Sequence, residues 1–132
     1  MHKSKMYILI KDSEDLRRDI GHLLLAAAHA SLSGYLTFIE TDKNNGDYDP
    51  ETWEYRTEQW ARQSFRKVIC KVTEDQFERA KLFGTDKVDY RVMTESFFDN
   101  AELAIVFKPI DPEDPAENRF VLEFLQSLPL YK

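Results

Sequence analysis

The chain has 132 residues, 42% of them hydrophobic, which suits one domain built around one core. Acidic residues outnumber basic ones by 24 to 18, for a formal charge of −6, and this excludes a general affinity for phosphate backbones, which Lys and Arg supply. The single cysteine, Cys70, excludes an intrachain disulfide and suits a reducing compartment.

In chain order, residues 5–11 form an apolar run rich in strand formers and too short for a helix, and read as a buried strand. Residues 12–18 are charged and read as a surface loop. Asp19 is a candidate N-cap for a helix over residues 20–39. The apolar positions of that helix, Ile20, Leu23, Leu24, Ala27, Ala28, Ser31, Leu32, Tyr35 and Ile39, recur at the spacing of a core-facing stripe. Gly34 inside it costs about 1 kcal/mol against Ala, which points to a bend or a close approach of another segment. Residues 41–50 are dense in turn formers and read as a loop. Residues 51–64 read as a shorter helix with an aromatic stripe, Trp53 and Trp60 lying seven apart on one face.

Residues 68–72 read as a second strand, with Cys70 as a small core residue rather than a nucleophile. Thr73-Glu74-Asp75-Gln76 is a capping box, and the helix it opens ends near Gly84. Residues 90–94 read as a third strand, 97–101 as a turn and 102–107 as a fourth strand stopped by Pro109. An acidic, proline-rich loop over 111–117 leads to a last helix over 119–127 and an extended tail over 128–132. The order predicts an α/β fold: a single domain over residues 1–132 with a four-stranded mixed sheet flanked by helices. The short 97–101 connection makes the last two strands an antiparallel pair. The strand order stays open. No 18-residue apolar run and no signal-peptide pattern occurs, so the chain reads as cytoplasmic, with no membrane partner.

The densest stretch runs from Gly21 to Leu32. It holds two of the three histidines, His22 and His29, on nearly one helix face among small residues. This stretch and its flanks resemble the type II peptidyl-tRNA hydrolases. Residues 5–11 are similar to the family's first strand. Gly21-His22 stands where the family has a Gly-Lys pair at the start of its helix, and His29-Ala30 follows at the family's Lys-to-His spacing. Residues 67–72 resemble its second strand, 92–96 lie near its Asp-Ala-Gly segment, 103–109 resemble its closing strand, and 128–132 resemble its tail. Residues 40–60 and 110–120 have no counterpart. The departures fall where the family does its hydrolysis: His22 replaces its Lys, Ala26 its Gln, and Thr94 or Glu95 its acidic residue.

Two functions follow. In the first, the chain hydrolyses an ester-linked aminoacyl or peptidyl adduct, on tRNA or on a small molecule, without a covalent intermediate. His22 sits in the first helical turn, where the dipole disfavours an imidazolium, and acts as a general base on water. The amides of Ile20, Gly21 and His22 bind an oxyanion or phosphate. Thr94 or Glu95, at a strand end beside the helix start, orients His22 or the water. In the second, the chain is an inactive module of the same fold that binds a small ligand or a protein partner. The replaced Lys, Gln and Asp and the acidic charge favour this second function.

His29, among alanines in mid-helix, reads as a buried histidine bonded to a backbone carbonyl. It lies about 10 Å along the axis from His22, too far to share a metal. The acidic residues of 42–54 fail the calcium-loop pattern and no glycine-rich phosphate loop occurs, so no metal or cofactor is expected. The basic cluster Arg62, Arg66, Lys67 and Lys71 reads as solvated surface. The Trp53/Trp60 stripe is the candidate surface for a homodimer.

Overall fold

A computed structural model describes residues 3–132; the first two residues of the expected 1–132 domain lie outside the described residues. Four strands form one mixed sheet in the order β2-β1-β4-β3. They are β1 (Lys5–Lys11), β2 (Arg66–Val72), β3 (Tyr90–Glu95) and β4 (Ala101–Phe107). β1 pairs in parallel with β2, from Lys5 opposite Arg66 to Lys11 opposite Val72, and antiparallel with β4. β4 pairs antiparallel with β3, with a register shift at Met93/Thr94. The expected mixed sheet with a final antiparallel pair is therefore present.

β1 is central, so both of its faces are covered and its sequence is a continuous apolar run rather than an alternating one. Tyr7 and Leu9 point to one side, with Cys70, Val72, Ile105 and Phe107. That side is covered by α4 (Glu74–Ala80) and α5 (Arg119–Ser127) through Phe77, Ala80, Leu122, Phe124 and Leu125. Met6, Ile8 and Ile10 point to the other side, with Ala104 and Val106. That side is covered by α1 (Glu14–Arg18), α2 (Ile20–Asn45) and Trp60, which begins a π-helical turn, Trp60–Ser64, after the short α3 (Arg56–Gln59).

The structure corrects several expectations. Residues 12–18 are not all loop: Ser13 caps α1 by accepting from the Leu16 amide at 3.2 Å, and Leu16 is buried. α2 runs past residue 39 to Asn45 because Thr41 and Asp42 still face inward, and it ends on Gly46 in the left-handed region (φ 63°). The helix expected over 51–64 begins only at Arg56, as α3 and the π-helical turn that ends at Ser64. Trp53 sits in a turn at φ 62°, exposed and stacked on Tyr48, whereas Trp60 is buried, so the two share no face. Gly84 is extended rather than left-handed. It is needed for space, since a Cβ there would lie 2.6 Å from the Asp89 Cβ.

The largest correction concerns the face of α2. Ile20, Leu24 and Leu32 were expected in the core and are exposed. The seam on the sheet is Ala26, Ala30, Gly34 and Phe38, one residue every four. Small residues win there because the helix lies very close to β4: a Cβ on Gly34 would meet the Val106 methyl carbons at 2.9 and 3.0 Å. Gly34 thus marks a close approach. The expectation of no membrane-length segment also changes. By length and composition alone α2 is apolar enough to cross a membrane, although glycine, histidine and serine interrupt its apolar run.

Candidate functional site

Asp19 caps α2. One carboxylate oxygen accepts from the His22 amide at 3.1 Å, and the other pairs with His22 Nδ1. The hydrogen bond to His22 holds the Asp19 carboxyl below its ordinary range. The rings of Phe97 and Phe98 meet the imidazole edge-on, at 4.6 and 5.6 Å between centroids. Nδ1 faces the carboxylate, which leaves Nε2 as the nitrogen able to take up a proton.

The arrangement differs from the expected one in three ways. The anion site proposed at the amides of Ile20, Gly21 and His22 is occupied by Asp19's own carboxylate, which bonds the His22 amide. Glu95 does not orient His22; its carboxylate lies 3.6 Å from Nδ1 of His29. His29 is accordingly an exposed, carboxylate-paired residue rather than a buried one bonded to a carbonyl, because its position on α2 faces the end of β3 and not the sheet. Thr94 is exposed and borders, with Ala26, His29 and Glu95, a crevice of about 10 Å³, too small for a substrate.

At the far end of α2 lies a charged cleft of about 370 Å³ that the sequence reading missed. Asp42 is fully buried. Its Oδ1 stands 2.5 Å from Lys108 Nζ, and its Oδ2 accepts from the Thr57 amide at 2.9 Å. Lys108 also reaches Asp47 at 3.3 Å, and Asp47 binds Arg56 at 2.6 Å, which raises the Arg56 pKa further. Burial, with Asp114 and Asp111 nearby, pushes the Glu117 carboxyl up. The ion pairs running from Asp42 through Lys108 and Asp47 to Arg56 fasten the end of α2 to α3 and to the residues after β4. Their sequence separation hid them. Among the described residues no cluster of three or more metal-ligating side chains forms.

The third region is a groove of about 530 Å³. α2 packs chiefly on β4, β3 and β1, and so leaves the same face of the edge strand β2 open. One wall of the resulting groove is Ala27, Ala28, Ser31, Leu32 and Tyr35 of α2; the other is Trp60, Ala61 and Phe65; Ile8, Lys67 and Ile69 form the floor. The π-helical turn shapes the second wall. Phe65 closes it, donating its amide to the Trp60 carbonyl at 2.6 Å, and is left at φ 51°, a strained region for an aromatic residue. Trp60 is anchored by its indole N–H to the Arg66 carbonyl at 2.9 Å. Lys67 is the one charged residue in the lining. Its ammonium sits 3.2 Å from the Phe65 ring centroid and 5.4 Å from that of Trp60, and donates to the Phe65 carbonyl at 3.2 Å. Burial lowers its pKa.

Of the positions read from sequence as core, Ala28, Ser31 and Leu32 are thus groove wall, while Ala27 and Tyr35 line the groove and also pack against the core. The basic cluster also divides: Arg62 is tied to Glu54 and Glu58 at 3.3 and 3.2 Å, while Lys67 turns into the groove. Cys70 is buried, and burial pushes its thiol up to about 11, which leaves it unactivated at neutral pH. No protein-family model matches the chain, and no curated protein matches its sequence.

Proposed function

We propose that the chain is a binding domain whose groove between α2 and β2 takes a small apolar ligand. The observation that carries this reading is the groove itself: about 530 Å³, apolar except for Lys67, beside a helix wall of small residues. Its size falls in the range of small-molecule sites, which are concave and mostly apolar with few polar groups. A neutral apolar fluorophore, N-phenyl-1-naphthylamine, tests it. Emission should rise on addition of the wild type and stay at the buffer level with Ala28→Trp. Ala28 is exposed on the groove wall, so the larger side chain fills the groove without entering the core. Equal enhancement by both proteins contradicts the reading.

The pairing of Asp19 with His22 favours a second reading, in which the chain is a divergent relative of the type II peptidyl-tRNA hydrolases that cleaves an ester-linked adduct with His22 as base. In that mechanism Asp19 keeps the proton on Nδ1 and Nε2 takes one from water. Its test is single-turnover hydrolysis of an N-blocked aminoacyl-tRNA. Turnover that falls at least about tenfold in His22→Ala, or ~1.4 kcal/mol of barrier lowering, supports it. Wild-type rates no higher than buffer remove it.

A further inference from the structure

We propose that the ligand of the groove is a single-chain amphiphilic anion, its tail lying along Ala28, Ser31, Leu32 and Tyr35 and its carboxylate-type head held by Lys67. This inference rests on the reading of the groove as a ligand site and adds the class of ligand.

Three observations support it. First, charge: the protein is acidic overall at −6, yet the only charged group in the groove lining is a cation. Second, partnership: among the described residues no carboxylate pairs with Lys67. Its contacts are two aromatic faces and one backbone carbonyl. An ammonium has three donors, so an anionic head can be added without displacing these contacts. Of the other cations of that cluster, Arg62 is engaged with Glu54 and Glu58, Lys71 with the Lys132 carbonyl, and Arg66 does not line the groove. Third, shape: from Ala27 to Tyr35 the helix wall extends about 12 Å, the run of one medium-length acyl chain. The burial that lowers the pKa of Lys67 also makes an anion beside it more valuable, since a charge partner restores what desolvation removes.

The experiment is calorimetric titration with monomeric decanoate and with decanol, each into wild type, Lys67→Gln and Lys67→Arg, with folding checked by circular dichroism. The expected result is one-to-one binding of decanoate that weakens about tenfold in Lys67→Gln and persists in Lys67→Arg, with decanol binding unchanged by either substitution. Equal decanoate affinity in wild type and Lys67→Gln, with decanol still bound, overturns the anion claim and leaves the groove reading standing. Failure of both probes to bind overturns both. Association with anionic lipid vesicles in the absence of any decanoate binding overturns the single-chain claim in favour of a membrane surface.

Discussion

The two flanks of α2 make opposite use of their side chains. On the flank toward β3, His22 is held by Asp19 and edged by Phe97 and Phe98, and His29 faces Glu95. Both histidines there pair with carboxylates of the chain, and the crevice beside His29 and Glu95 is about 10 Å³. On the flank toward β2, apolar side chains and one lysine surround about 530 Å³ of space that the chain does not fill. The comparison teaches that a constellation of titratable residues is not by itself a site. The candidate is where the fold leaves surface and volume without a partner.

Substitutions can sharpen this contrast by separating what holds α2 in place from what binds beside it. The largest stability effect is expected from Lys108→Ala, which strands the buried Asp42 carboxylate and should cost about 3–5 kcal/mol in urea unfolding. The folded fraction should still bind the naphthylamine probe. Next is Gly34→Ala. Helix propensity alone would reward it by about 1 kcal/mol, but the 2.9 Å clash with Val106 should make it net destabilising, by about 1–3 kcal/mol, with recovery in the double variant with Val106→Ala. A stable Gly34→Ala protein contradicts the close seating of α2 on β4.

Phe65→Gly relieves the positive φ and removes a groove wall. It should leave stability unchanged or raise it while weakening probe binding, an opposition that a purely structural Phe65 cannot give. The smallest effect is expected at Glu117, whose carboxyl is raised by burial. The folded state then holds its proton to higher pH than the unfolded chain does. Stability falls as pH rises from the unfolded value through the folded one, and the deficit persists above it. Glu117→Gln should therefore raise Tm at pH 7 and lose that advantage below the unfolded glutamate pKa.

Local signals were readable where the chemistry is local. The strand over Lys5–Lys11, the Thr73 capping box with Gln76, the Asp19 cap and the helix over Arg119–Ser127 all follow from adjacent residues, and the structure has them. The cost of Gly34 points to a bend or a close approach, and the distance to Val106 decides for the close approach. The orientation of α2 was not readable, because leucines and alanines both satisfy an apolar period and only the distance to β4 decides that Ala26, Ala30 and Gly34 face the sheet. The Asp42–Lys108 pair spans half of the chain and leaves no pattern in it. The π-helical turn at Trp60–Ser64 has no composition of its own, and without it the groove cannot be inferred. Glu95 is expected beside His22, but the helical rotation brings it to His29 and gives His22 to Asp19.

The most direct measurement is the fluorescence titration of N-phenyl-1-naphthylamine against wild type, Ala28→Trp and His22→Ala. Saturable enhancement is expected with wild type and His22→Ala and none with Ala28→Trp. Enhancement that survives in Ala28→Trp and disappears in His22→Ala contradicts the groove reading and moves the site to the histidine flank.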